Sequence, residues 1–155
     1  MRANMLLASI PASWKDHWVK GWPRPSDATR YIDCCDLRDA STKALAIHDG
    51  RHPDILRTVL THDGFPGLLQ EVKDIAEAGF DPNAEIRFFC NSGRHRSVAV
   101  ATLIGRILTE AGYQVEMAHH GLAQSEHKHD RAACRQCSQG VETIATEELM
   151  APWHT

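Results

Sequence analysis

Residues 85 to 111 impose a strand, a turn and a helix in immediate succession, and this unit constrains the rest of the chain. Glu85 to Cys90 (Glu-Ile-Arg-Phe-Phe-Cys) is short and mostly apolar. The next residues, through Arg96, are polar and include Gly93. Ser97 to Ala111 then carries Val100, Leu103, Ile104, Ile107 and Leu108 at helical spacing, with Gly112 as its stop. A strand that runs straight into a helix needs a crossover before its chain can pair again, so the unit predicts a parallel sheet covered by helices. Free amides of the turn and the positive end of the helix dipole would meet at one spot, and Arg96 at the helix start has a guanidinium suited to clasping an anion.

The flanking segments fit the same plan. Met5 to Ile10 reads as a strand, as does Tyr31 to Leu37, and Gln114 to Ala118 is a last strand. Asp54 reads as the N-cap of a short helix through Leu60. Pro66 to Ala78 is a second helix, with Leu68, Leu69, Val72, Ile75 and Ala76 on one face. Val141 to Met150 reads as a terminal helix. Between Asp39 and Pro53 lies a polar loop, tipped by His48-Asp49-Gly50-Arg51-His52-Pro53 and long enough to line a site. Trp14, Trp18 and Trp22 recur every four residues, the spacing of a buried helical face. The expected fold is three-layer α/β, a mainly parallel sheet flanked by helices with a phosphate-binding loop between a strand and a helix N-terminus. One domain over 1–155 is expected, with its core at about 29–120 and a polar, His/Cys-rich segment at 119–140.

Composition narrows the function classes. A chain of 155 residues with 43% hydrophobic and 24% charged residues can bury one ordinary core. Its net charge of -3 argues against a surface built for nucleic acid, although Arg87, Arg94, His95, Arg96 and Arg106 supply one local basic patch. Met5 to Ile10 is too short to span a bilayer and lacks the flanks of a signal peptide, so a cytoplasmic location is expected and a membrane partner is not. Five cysteines, two adjacent and two spaced C-x-x-C, do not form a secreted disulfide pattern.

Cys90 to Ser97 fits C-x5-R-S. Successive amides of such a turn can surround phosphate oxygens, Gly93 lets the chain curve closely, and the arginine closes the ring. The same field lowers the pKa of a cysteine below its usual ~8.5, so that a thiolate can attack phosphorus. At the level of this loop the chain resembles the cysteine-dependent tyrosine and dual-specificity phosphatases, whose loop is H-C-x-x-G-x-x-R-S. That resemblance implies Cys90 as nucleophile and Arg96 as phosphate ligand, with Asp63 as general acid. Phe89 stands where those enzymes have histidine.

A broader resemblance covers residues 31 to 120. The chain is similar to the C-terminal domain of the RNase adapter protein RapZ, whose loop reads G-C-T-G-G-x-H-R-S-V. Cys90, Gly93 and the run His95-Arg96-Ser97-Val98 match it, with Asn91 and Ser92 departing. Asp36-Leu37-Arg38 resembles that family's D-V-R, Leu56-Arg57 followed by Asp63 resembles its L-R-x-x-T-G-x-D, and Val115 to His119 resembles its final strand. The resemblance implies a domain that binds a phosphorylated small molecule of the glucosamine-6-phosphate type, without the family's nucleotide-binding unit, since no G-x-x-x-x-G-K-[ST] occurs. Arg96 and the backbone of Asn91, Ser92, Gly93, Arg94, His95 and Ser97 would hold the phosphate. Asp36, Arg38 and His52 (or His48) would meet hydroxyl or amine groups. An ion pair is the alternative role for Asp36 and Arg38. RNA and a second copy of the chain are the other partner classes the resemblance leaves open.

Beyond His119 the chain holds His119, His120, His127, His129, Cys134 and Cys137. A C-x-x-C pair with nearby histidines offers the ligand types of a tetrahedral structural zinc site, with His127, His129, Cys134 and Cys137 as the expected quartet. A redox role for the pair is weaker, because it does not open a helix after a strand.

Overall fold

The computed structural model describes residues 4–15, 24–38, 45–79, 81, 84–123 and 134–155. Strands β1 (Asn4–Pro11), β2 (Arg30–Asp33), β3 (Glu85–Cys90) and β4 (Gln114–His119) form one sheet in the order β2-β3-β1-β4, with every pair parallel. Helices α1 (Pro53–Leu60), α2 (Phe65–Glu77) and α3 (Arg96–Glu110) carry most of the remaining regular structure. Three short helices follow: α4 (His120–Ala123), α5 (Arg135–Gln139) and α6 (Thr146–Met150). This parallel sheet flanked by helices is consistent with the expected three-layer α/β fold.

Burial follows position in the sheet. The central strands β1 and β3 are almost wholly buried and accordingly read as near-continuous apolar runs. The edge strands are blunted: β2 has only 4 residues, and β4 alternates toward solvent with Gln114, Glu116 and Met117 exposed. Along β3 the side chains divide between the faces. Ile86, Phe88 and Cys90 join the main core with α1, α2, α3 and α6, whereas Phe89 joins a smaller cluster with Ile10 and Trp14. Helix α3, which bridges β3 to β4, buries ten of its residues and is the spine of the main core.

Four expectations about local structure are corrected or bounded. Strand β2 ends at Asp33 and not at Leu37, because the Asp33 carboxylate accepts from the Cys35 amide at 2.7 Å and the Leu37 amide turns back to the Cys34 carbonyl at 3.3 Å. Helix α1 is capped by His52, whose Nδ1 accepts from the Asp54 amide at 3.1 Å; Asp54 lies in the first turn, where its charge meets the dipole. The terminal helix is broken into a 3-10 turn at Val141–Thr143 and α6, since Ile144 turns extended to reach the core. Trp14 lies in a 3-10 turn and is packed into the smaller cluster, as its spacing suggested; Trp18 and Trp22 lie outside the described residues.

Because all four strands run parallel, the loops that follow them emerge on one edge of the sheet. Among the described residues no helix is long and apolar enough to cross a membrane.

Candidate functional site

The loop after β3 is shaped by contacts with β1. Gly93 adopts φ +70°, and a Cβ there would stand 2.6 Å from the Pro11 nitrogen and 2.9 Å from the Ile10 carbonyl carbon. Both neighbours are backbone, so only glycine lets the loop lie this close to the sheet. From there the chain enters α3 at Arg96 with no side-chain cap on its first turn. Among the described residues, the amides of Asn91, Ser92, Gly93 and Arg96 donate to no backbone carbonyl. An uncapped helix start with unclaimed amides beside it is what an oxyanion requires.

Cys90 ends the strand fully buried beneath this loop. Its thiol lies 3.2 Å from Ser97 Oγ, and the Ser97 amide donates to Sγ at 3.4 Å. The Ser97 amide therefore serves the sulfur. One terminal nitrogen of Arg96 donates to the carbonyls of Cys35 at 2.6 Å and Leu37 at 3.3 Å, straps across the turn after β2. Its Nε and other terminal nitrogen have no hydrogen-bond partner among the described residues. Those two nitrogens lie on one edge of the guanidinium, the edge whose geometry suits bidentate contact with an oxyanion.

Two further loop side chains face the protein. Arg94 donates to the Ala46 carbonyl, and buried His95 uses Nε2 to bond the His48 carbonyl at 2.7 Å. The Gly50 amide completes the junction by donating to the Arg94 carbonyl at 2.7 Å. The Cys90–Ser97 loop is thereby held from behind by the segment Leu45 to His52.

The outlying residues named by the sequence are dispersed. Asp36 is exposed and borders a groove of about 340 Å³ with Asp33, Leu37, Gly64, Gly67, Leu68 and Glu71. Arg38 is exposed, its amide donating to His62 Nε2 at 3.3 Å, and no ion pair joins it to Asp36. His52 is buried as the cap of α1, its ring 4.5 Å from that of His48. Asp63 is exposed in the turn between α1 and α2, with no hydrogen bond to the Cys90 loop.

The expected basic patch does not form one surface. Arg87 points the other way from the core-facing residues of β3, buried and paired with Glu85 at 2.7 Å, while Arg106 pairs with Glu142 at 2.7 Å and Glu110 at 3.3 Å. Strand periodicity separates Arg87 from the loop arginines, and helical periodicity carries Arg106 away from Arg96.

A second polar centre was not visible in the sequence. Buried Asp49 holds Arg51 through two side-chain bonds of 3.0 and 2.8 Å, and this pairing keeps its carboxyl below the usual range despite burial. His119, at the end of β4, bonds Ser9 Oγ at 2.7 Å. Burial, aided by the nearby Arg51 charge, lowers the His119 pKa to about 4. Beside this centre, His48, Cys134 and Cys137 bring their ligand atoms within 4.8 Å of one another. Of the quartet expected from the sequence, the structure brings together the two cysteines; His127 and His129 lie outside the described residues. His48 comes instead from the loop tip far upstream. The only signal for it was a histidine in a long polar loop, with nothing in the spacing to link it to Cys134.

Comparison with known proteins bears on the whole arrangement. A model of the RapZ C-terminal domain matches residues 18–123, a span that includes β2, β3, β4 and the Cys90 loop. The chain belongs to the RapZ C-terminal domain family. A protein named nucleotide-binding protein from a Ruegeria species is 30% identical over 113 residues, covering 68% of this chain and 37% of its own length. One of the same name from Cereibacter sphaeroides is 31% identical over 114 residues, with 68% and 37% covered. Another from a Jannaschia species is 27% identical over 135 residues, covering 80% of this chain. The chain thus spans about two-fifths of the length of these relatives, between 37% and 42%.

Proposed function

We propose that this RapZ C-terminal-type domain binds a phosphorylated small molecule at the Cys90–Ser97 loop, with a sugar phosphate as the preferred class. The observation that carries the reading is the start of α3: unclaimed amides at Asn91, Ser92, Gly93 and Arg96, with one edge of the Arg96 guanidinium held beside them by the strap to Cys35 and Leu37. The strap fixes the arginine before ligand arrives, which lowers the entropy lost on binding. The acidic groove bordered by Asp33, Asp36 and Glu71 adjoins Leu37, one anchor of that strap, and favours hydroxyl or amine donors on the non-phosphate end of the ligand. The relatives' name, nucleotide-binding protein, is compatible with a phosphorylated ligand.

Titration calorimetry with inorganic phosphate, glucosamine 6-phosphate, glucose 6-phosphate and a nucleoside monophosphate tests the reading. Binding of at least one phosphorylated compound is expected, weakened about tenfold or more by Arg96→Ala. Absence of heat from every compound at millimolar concentration, or affinity unaffected by that substitution, overturns it.

A second reading, a cysteine-dependent phosphatase, draws on the Ser97 amide, which donates to Cys90 Sγ at 3.4 Å, since a donor there favours a thiolate. It requires a general acid, and among the described residues no hydrogen bond joins exposed Asp63 to the loop. Turnover of an aryl phosphate that is abolished by Cys90→Ser would favour this reading over a pure receptor.

A further inference from the structure

The geometry points to a zinc-type metal site formed by His48 Nδ1, Cys134 Sγ and Cys137 Sγ, which ties the C-terminal segment to the loop behind the Cys90–Ser97 turn. Three observations carry it. First, the sulfur atoms of Cys134 and Cys137 lie 3.6 and 3.4 Å from the same ring nitrogen. Tetrahedral zinc with bonds of about 2.3 Å to sulfur and 2.0–2.1 Å to nitrogen separates such ligands by about 3.6 Å. Second, thiol hydrogen bonding does not account for the convergence. An imidazole nitrogen has one in-plane lone pair and can accept well from only one S–H, yet two sulfurs are aimed at it. A cation at the centre serves all three atoms at once.

Third, the surroundings hold the ligands as a metal site needs. Cys137 is buried, while His48 and Cys134 are partly exposed, so an ion can reach the cluster from solvent. The Asp49 backbone hydrogen-bonds Cys137, and the His48 carbonyl is fixed by His95 Nε2 at 2.7 Å. Close packing then seals the region: a Cβ on Gly140, just after α5, would stand 1.7 Å from the Arg51 carbonyl oxygen. Such outer contacts orient ligands and are part of a metal site's affinity. The donor set, two thiolates and an imidazole, selects zinc over magnesium or calcium. The site lies apart from the phosphate loop and stands whether or not phosphate binds there.

The test uses the full chain, produced without a histidine tag and kept reduced. Elemental analysis after growth with added zinc is expected to find about one equivalent per chain; less than about half an equivalent overturns the site. Cobalt substitution is expected to give thiolate charge-transfer absorption and the intense visible bands of tetrahedral coordination. Octahedral-type weak bands overturn it. His48→Ala and the Cys134→Ser/Cys137→Ser pair are expected to lose the metal, whereas exposed His154→Ala keeps it. Retention by the His48 variant would remove His48 from the site and overturn the assignment. Chelation of the unmutated protein is expected to lower its melting temperature by about 5 °C or more, a readout independent of whether any variant folds.

Discussion

The Cys90–Ser97 loop and the His48/Cys134/Cys137 cluster lie back to back, yet they are built in opposite ways. The loop is contiguous: eight consecutive residues bring cysteine, glycine and arginine to one place because a strand end and a helix start permit little else. The cluster draws on two segments far apart in the chain, His48 lying 86 residues before Cys134 and 89 before Cys137. They share one wall, since His48 and Gly50 on the cluster side bond His95 and Arg94 on the loop side. The difference teaches that local chemistry makes the loop, whereas long-range packing makes its support. Disturbing the wall should therefore damage both.

The strongest way to break this picture is Gly50→Ala. The added Cβ would stand 2.1 Å from the His95 carbonyl oxygen and 2.6 Å from the Ala99 nitrogen, both backbone atoms. A loss of about 3 kcal/mol or more is expected, read as a fall of about 10 °C in melting temperature. An unchanged melting temperature would show that the wall is not close-packed. Next in size is the pH response of His119. Its folded pKa of about 4 lies below the ordinary 6.5. The unfolded chain then binds the extra proton between those values, so stability falls as pH is lowered through that window. About 3 kcal/mol is lost by its lower end. His119→Asn should flatten this part of the stability–pH curve in denaturant titrations; an identical slope would place the proton elsewhere.

The loop itself is sharpened by Arg96→Ala, for which the tenfold loss of phosphate affinity corresponds to about 1.4 kcal/mol. Its effect on metal content should be nil, because the strap leads to Cys35 and Leu37 and not to the cluster. The smallest expected effect is Arg106→Ala. Its partners Glu110 and Glu142 are substantially exposed, so about 0.5 kcal/mol or less is expected in chemical denaturation. A larger loss would mean that this ion-pair network contributes to the core beneath it.

Much of the fold was legible in the chain because its signals are local. The apolar runs Met5 to Ile10 and Glu85 to Cys90 became the two central strands, and the spacing of Val100, Leu103, Ile104, Ile107 and Leu108 became the buried face of α3. Boundaries were less legible where a side chain competes with the backbone. Asp33 stops β2 by accepting from Cys35, and His52 replaces Asp54 as the cap of α1. The imagined basic patch failed for a related reason: arginines counted together along the chain are separated by strand and helix periodicity once it folds.

The chain alone determined that a tight glycine-containing loop joins a strand to a helix at Cys90–Ser97, because that unit needs only neighbours within eight residues and a glycine at Gly93. It did not determine which face of the loop each side chain takes. Tertiary structure decided that Arg94 and His95 turn inward to the His48 segment and that Arg96 is strapped to the turn after β2. It also decided that His48 meets Cys134 and Cys137. The physical reason is range. Hydrogen-bonded turns and helix starts follow from adjacent residues, whereas contacts across many tens of residues exist only after the parallel sheet has brought its loops to one edge.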